Sequence, residues 1–470
     1  MTEREAVSRT VQNASPPAAL LAMVSLRRTN CSPHGGREQA TRGLSLRLNF
    51  AWILTGNLVY AMCQWGTIVA LAKLGSSFMV GQFSLGLAIS TPVLMLTNLQ
   101  LRAVQATDAR RLYSFNEYLR LRSALTLAGL VVIAGIACFG HYEKQTTMVI
   151  LIIALAKGVE TLSDIHYGLF QLNDRLDQTG KSMILRGILL VAALSTGLYL
   201  TRSVLWGCAT LVLVWLVVLL FFDVGHGRAF VAGHTRSSRH PEHWRPWELI
   251  RLALPLGIAT TLAALNLNMP RYFIHSHLGE RQLGIYSALA YTTVAMILVS
   301  DSLGHCAIPR LSRLYNCERL TEFRSLLLRL LAAGGLLGLT GLVVVQFIGA
   351  QLVTRIYGSE YAAEFRTFLV LVLAAAVYCV ACMLTTAITS ARCFRIQVPL
   401  YTLVVGSNAL ACAHWVPTAG LTGGAAAMLV AATVHLVLGA AVVGCLLRMR
   451  AKQPERLQTQ PWGRSWETSL

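Results

Sequence analysis

The chain has 470 residues, 55% of them apolar and 13% charged, and 40 Lys+Arg against 21 Asp+Glu give a net charge of +19. A soluble globular protein carries about 25% charged residues, so a water-soluble domain, a disordered chain and a collagen-like fibre are all excluded. The basic excess does not call for nucleic acid, because it sits in short polar gaps between long apolar runs, the positive-inside pattern of a multi-spanning membrane protein.

Residues 1–48 are rich in Arg, Ser, Thr, Pro and Gly and lack a helical apolar stripe. Ala18–Val24 is too short and weak for a signal peptide, and no small-residue cleavage site follows it. The segment is expected to be a disordered cytoplasmic tail, and translation could start at Met23. About 20 apolar residues cross the hydrocarbon core as a helix. Twelve such runs follow, at 49–73, 78–99, 122–140, 147–170, 183–201, 203–223, 250–274, 283–306, 328–354, 363–389, 397–416 and 421–447. Segments such as Leu211–Phe222 do not alternate, which excludes a β-barrel. Residues 224–247 form the longest internal gap, a linker between an N-lobe (49–223) and a C-lobe (248–447). Residues 448–470 are a second polar tail.

With both termini placed in the cytoplasm, the inner gaps and tails hold 31 Lys and Arg and the outer gaps seven. That bias predicts N-in, C-in and an even number of spans. The outer gaps are short and leave no room for an extracytoplasmic active site. The halves also repeat. Leu74-Gly75 and Gly81-Gln82-Phe83-Ser84 recur as Leu278-Gly279 and Gly284-Ile285-Tyr286-Ser287, and Asn116-Glu117-Tyr118 recurs as Thr321-Glu322-Phe323, at offsets of 203 to 205. Six spans per half keep the halves in one orientation, a parallel repeat with a substrate site between them near the midplane.

The fourth span carries Lys157, Glu160, Asp164 and Gln171 on one helical face, with Thr161 beside them. Charges at membrane depth face a protein interior or a wet cavity. Entered from outside, Lys157 lies roughly 15 Å deep at about 1.5 Å per residue. A cavity role is weighed against a self-neutralised Lys157–Glu160 pair; His166, on the opposite face, is expected to pack. The first and seventh spans carry matching polar stripes, Asn57, Tyr60, Gln64 and Thr67 in one and Thr261, Asn268, Arg271 and His275 in the other. Two such stripes facing one cleft suit a hydroxyl-rich or phosphorylated ligand. A guanidinium grips phosphate with two parallel hydrogen bonds, so Arg271 is the anion candidate, against the plainer reading that it snorkels to the interface. Asn266 is expected in a helix–helix hydrogen bond, and Pro255 and Pro270 can bend the seventh span. Asp301 and His305, one turn apart, are gating or coupling candidates.

Ser114-Phe-Asn-Glu117 has the capping-box pattern and is expected to start a short surface helix with Arg110, Arg111, Arg120 and Arg122 near anionic lipid. Cys379-Val-Ala-Cys382 has a redox or metal spacing but no second pair or His cluster beside it, so no metal site is expected. No Walker A, HExxH, GxSxG or zinc-finger spacing occurs. No cofactor, no catalytic residue and no enzymatic activity are expected.

The run Gly81-Gln-Phe-Ser-Leu-Gly-Leu-Ala-Ile-Ser through Leu99-Gln-Leu-Arg102-Ala-Val-Gln-Ala-Thr-Asp108 resembles the early helices of bacterial polysaccharide transporters. So does Asn268-Met-Pro-Arg271-Tyr-Phe-Ile followed by Leu278-Gly279 and Leu283-Gly-Ile-Tyr286. These are flippases for lipid-linked oligosaccharides of the O-antigen type, in the multidrug, oligosaccharidyl-lipid and polysaccharide (MOP) exporter superfamily. The resemblance covers about residues 45–447; the Arg-rich tail departs from it. It implies an all-α polytopic fold of about twelve transmembrane helices in two six-helix lobes set in a V, alternating access, and a basic central cavity for a polyprenyl-diphosphate-linked glycan.

The expected function is therefore an inner-membrane flippase for repeat units of exopolysaccharide, capsule or O-antigen (lipopolysaccharide). Its cavity residues would be Lys157, Glu160, Asp164, Arg271, Asn268, Asn57 and Gln64, with Glu160 or Asp164 able to exchange protons. Its partners would be the lipid-linked oligosaccharide, membrane lipids and a polysaccharide polymerase or export machinery, with no nucleic acid. The rivals are a multidrug cation antiporter of the same superfamily, a polymerase or glycosyltransferase of the same pathway, and a scramblase without a glycan. An acidic, aromatic cavity would favour the first rival and large outer loops the second.

Overall fold

The computed structural model describes residues 46–108, 113–232, 246–391 and 393–458, all helical apart from short turns. Helix α1 (Leu46–Leu74) begins three residues before the expected span. The rest of the expected tail, residues 1–45, lies outside the described residues. Ser76 caps α2 (Ser77–Asn98), its hydroxyl accepting from the Met79 amide. The left-handed residues Leu99 and Gln100 then end α2, and α3 (Leu101–Thr107) continues the chain.

The capping box at Ser114 and Glu117 is formed on both sides, but it opens the 25-residue helix α4 (Phe115–Phe139) itself. The separate surface helix expected there is thus a correction: the cap satisfies the first orphan amides of the third span. Arg120 is exposed, Arg122 is fully buried, and Arg110 and Arg111 lie outside the described residues. Next come α5 (Lys144–Leu172), α6 (Leu176–Thr201) and α7 (Val204–Val217). Left-handed Arg202 makes the tight turn between α6 and α7. A six-residue π-helical stretch, Val218–Asp223, passes into α8 (Val224–Ala232). The linker expected from 224 therefore starts later, because the helical backbone runs on through Ala232; residues 233–245 lie outside the described residues.

Helix α9 (Pro246–Thr292) turns at Gly279, where φ is 80°. Such a φ strains any residue with a Cβ, which is why the break falls on a glycine. Then follow α10 (Val294–Asn316), α11 (Leu320–Ile356), the single turn α12 (Ser359–Ala362), α13 (Phe365–Ser390) and α14 (Phe394–Gln458). α14 turns at Gly420, φ 61°, and runs to Gln458, taking in the first eleven residues of the expected C-terminal tail, of which 459–470 lie outside the described residues.

Among the described residues nine helices are long and apolar enough to cross a membrane, ten with the bent α9. Dividing α14 at Gly420, dividing α9 at Gly279, joining its second half with α10 as one span and adding the charged α5 gives the twelve segments expected from sequence. The turns after odd-numbered segments lie on one face, called distal here; the opposite, proximal face carries the turns after even-numbered segments.

Small residues bring the helices together, as in membrane bundles generally. Gly56 of α1 lies against Gly180 of α6, and Gly257 of α9 against Leu99. The Asn408 side-chain amide of α14 donates to the Asn266 carbonyl oxygen (Oδ1) of α9 at 2.8 Å, the interhelical bond expected for Asn266. At the distal face, α2 and the second half of α9 meet reciprocally. A Cβ on Gly81 would strike the Glu280 carbonyl, and one on Gly284 the Ser77 carbonyl. Both relations step by 203 residues, so the sequence repeat is also a symmetry of contact. The main apolar core joins α1, α2, α5, α6, α7, α9, α13 and α14, and Leu99, Tyr118 and Ile165 meet Leu249 and Ala253 proximally.

Candidate functional site

A cavity of about 360 Å³ lies at membrane depth, enclosed by α1, α2, α5, α6 and α7 on one wall and α9, α10, α13 and α14 on the other. Its lining contains four of the seven expected cavity residues, Gln64, Lys157, Asn268 and Arg271, together with Thr67 of the first stripe and Asn266. They converge because each helix presents its polar residues at i, i+3 or i+4 on the inward face. Among the described residues, Lys157 and Arg271 are the only charged side chains in the lining, and no carboxylate belongs to it.

Lys157 Nζ lies 2.6 Å from Glu160 Oε2, and Tyr60 donates to Glu160 Oε1 at 2.7 Å. Glu160 thus stands behind Lys157 and does not line the cavity. The ammonium also sits 5.3 Å from the ring centroid of Trp215, a cation–π distance. Arg271 has no acidic partner among the described residues. It donates to Asn268 Oδ1 at 2.5 Å, lies 5.7 Å from the Tyr291 ring centroid, and its buried Nε has no hydrogen-bond partner. Asn268 in turn donates to the Ala264 carbonyl, which fixes the side chain that holds the guanidinium.

Three cavity assignments are corrected, Glu160 as just described and two more. Asp164 lies proximally, between Arg102 (3.2 Å) and the fully buried Arg122 (2.7 Å), because its position two turns along α5 carries it past the cavity floor into that pair. Asn57 is exposed and outside the lining, since α1 turns that level of its stripe away from the other wall. Thr261 bonds back to the Gly257 carbonyl, and His166 packs edge-on against Phe115 with its Nδ1 at the Leu162 carbonyl. Asp301 and His305 are exposed; they continue the face of α10 whose Thr293 and Ile297 line the cavity, one and two turns proximally. Cys379 and Cys382 are free thiols.

Sequence reasoning missed the ion pair Arg186–Asp223 (3.1 Å), buried on both sides and braced by Ser163 and Ser182. A single Arg and a single Asp in separate spans leave no local signal; the π-helical turn that sets Asp223 is visible only in the fold. Trp215 and Tyr291 were missed as well, because lone aromatics in apolar runs read as core.

The distal mouth is closed by a polar seam. Trp65 Nε1 donates to the Tyr357 hydroxyl at 2.8 Å, and Ser77 and Arg281 both donate to Glu360 Oε1, at 3.0 and 2.8 Å. Gln82 donates to Thr146 at 2.8 Å, and Thr146 donates to Glu280. Glu280 sits in the turn between the seventh and eighth spans. Burial pushes its carboxyl above the usual range, the Thr146 bond opposes this, and Glu143 adds to it.

No family model matches the chain. An Asp-to-Asn variant of the Vibrio cholerae MATE transporter VcmN superposes with a TM-score of 0.60, over 88% of this chain and 98% of that one, at 11% identity. The chain has the MOP transporter fold. A MOP-superfamily transporter from Pyrococcus furiosus, described as having a binding pocket of reverse polarity, superposes at 0.59 over 85% of this chain and 95% of its own, with 14% identity. In sequence, the capsular polysaccharide biosynthesis protein CapF of Staphylococcus aureus is 26% identical over 309 residues, 65% of this chain and 76% of CapF. The cavity between the two helical walls is the candidate functional site.

Proposed function

We propose that the chain is a cytoplasmic-membrane flippase that moves a lipid-linked oligosaccharide, carried on a polyprenyl diphosphate, for surface polysaccharide assembly. The observation that carries this reading is Arg271, a cation on the cavity wall with no carboxylate to neutralise it. A desolvated guanidinium without a counter-ion favours an anion and repels a cation. The likeness to a capsular polysaccharide biosynthesis protein supports a glycan pathway, and the positive-inside count supports cytoplasmic termini. A diphosphate head group would enter the cavity while its lipid tail stays among the bilayer chains.

The test is a strain lacking the gene. It should accumulate the lipid-linked repeat unit on the cytoplasmic side and lose surface polysaccharide, and the wild-type chain should reverse both. Cation efflux restored by the chain, with glycan transfer unchanged, would instead establish a drug antiporter.

A further inference from the structure

The two cations of the cavity lining are chemically unlike. At Lys157 the charge is cancelled by Glu160, which leaves a neutral corner of one ammonium donor and one carboxylate acceptor. At Arg271 the charge is uncompensated. Its Nη1 donates to Asn268 and its Nε is enclosed, so Nη2 is the end that is both accessible and without an acceptor among the described residues. Asn266, five residues earlier on α9, also lines the cavity although only 4% of it is exposed. Its neighbour decides which end of its amide is open. The fully buried Asn408 sends one atom, Nδ2, to the Asn266 backbone carbonyl at 2.9 Å and to the Asn266 side chain at 2.8 Å. An atom that donates to a carbonyl is a nitrogen, so the side-chain atom it meets must be the acceptor Oδ1. Cys412 donates to Asn408 Oδ1 at 3.4 Å and fixes the same sense. That leaves Nδ2 as the accessible end of the Asn266 amide, with no acceptor among the described residues.

One helix therefore offers the cavity two held donors, Arg271 Nη2 and Asn266 Nδ2. A ligand that brings only acceptors suits them, and ionised phosphate oxygens are such acceptors, with bonds roughly twice as strong as neutral ones. Five residues along a helix is a rise of about 7.5 Å. A single phosphate is too small to meet both donors at that separation, whereas two linked phosphates reach further. We infer that Asn266 is a second phosphate contact: Arg271 takes one phosphate of the head group, the Asn266 amide donates to the other, and Asn408 is the positioning residue that holds this amide with its donor outward. This rests on the flippase reading and adds the group that tells a diphosphate carrier from a monophosphate carrier.

The experiment uses the full chain in lipid nanodiscs and calorimetric titration with three probes, farnesyl phosphate, farnesyl diphosphate and farnesyl diphospho-N-acetylglucosamine. The wild type should bind the diphosphate at least about tenfold more tightly than the monophosphate, the worth of one added hydrogen bond to a charged group. Asn266→Leu keeps the size of the side chain and removes the donor. It should weaken both diphosphate probes by about that same tenfold and leave the monophosphate unchanged. Asn408→Leu keeps the Asn266 amide but removes its brace, and should lose part of the same preference. Arg271→Ala should weaken all three probes. If Asn266→Leu weakens all three alike, or none, the amide serves helix packing and the second contact is overturned. Weakening of the glycosylated probe alone would make the amide a sugar contact and overturn it too. If the wild type binds monophosphate and diphosphate equally, the second contact fails and the transport reading stands. If no probe binds, the transport reading fails and the contact goes with it.

Discussion

Gly81 lies directly against the carbonyl of Glu280, and Gly284, 203 residues on, lies against that of Ser77. No Cβ fits at either glycine without moving backbone. The distal seam therefore closes only because both positions lack a side chain. Gly284→Val should hold it open. With cysteines at Ser77 and Glu360, whose side chains are 3.0 Å apart, oxidative cross-linking in a cysteine-depleted chain should be efficient and should fall at least about fivefold with Gly284→Val, while the protein stays in the membrane. Unchanged cross-linking would mean that the seam tolerates a side chain there.

The same seam should respond to pH through Glu280. Burial raises its carboxyl above the ordinary value in the closed arrangement, and opening would return it towards that value. The closed form therefore holds the proton more tightly. Its advantage is full below the ordinary carboxylate value of about 4.3 and is lost as pH rises through the raised value. The facing groups are Thr146, His275 at 4.0 Å, Tyr142 against the His275 ring, and Glu143. The Ser77–Glu360 cross-link should weaken as pH rises through that window, and Glu280→Gln should flatten the profile. A profile that keeps its slope in Glu280→Gln would remove Glu280 as the source, and His275 could not replace it, because burial lowers its pKa and would favour closure as pH rises.

Lys157 separates two roles. In Lys157→Ala its partner Glu160 keeps the Tyr60 hydrogen bond but loses its direct ion pair, and a carboxylate without its close counter-ion at membrane depth destabilises. The double change Lys157→Ala with Glu160→Ala removes both charges and should restore membrane abundance. Transport should stay at least about tenfold down, because the neutral corner has lost its donor and its acceptor. Surface polysaccharide normalised to membrane protein is the readout, and full recovery in the double variant would leave the pair a purely structural role.

Much of this was legible in the sequence. The spans and their breaks were, because long apolar runs and glycines such as Gly279 impose themselves locally. Lys157 and Arg271 were, because isolated charges in such runs stand out. The fate of Asp164 was not: its spacing placed it on the Lys157 face, and only the fold brings Arg102 and Arg122 to it. Arg186 and Asp223 were hidden for the same reason, each being one residue in a different span. The unsatisfied N–H of Trp215 is a property of packing and has no sequence signal at all.

Topology is tested apart from transport. The positive-inside count predicts that the distal face is outside; His277 is exposed there and His226 is exposed proximally. The native thiols Cys138, Cys306, Cys317 and Cys445 are exposed and must first be replaced. An impermeant maleimide on intact cells should then label His277→Cys and spare His226→Cys, and the reverse pattern would invert the orientation.

Arg271 decides whether the cavity recognises phosphate by shape or only by charge. Arginine presents a planar fork, whereas lysine is a point charge on a flexible stem. Here the fork is pre-set: Asn268 holds one nitrogen, the Tyr291 ring lies 5.7 Å from the guanidinium, and the buried Nε is left without a partner. A lysine would keep the charge but lose the second parallel bond and the Asn268 brace. If the fork grips diphosphate, Arg271→Lys should impair transport nearly as much as Arg271→Ala, each by about tenfold or more, the loss expected when one of two charge-assisted bonds is removed. If the residue only snorkels, lysine should serve equally well, since its stem reaches the interface as easily. Surface polysaccharide in the complemented deletion strain, normalised to membrane protein, distinguishes these outcomes. Full rescue by Arg271→Lys would leave charge alone as the requirement, and full rescue by Arg271→Ala would remove Arg271 from the site and, with it, the anion reading of the cavity.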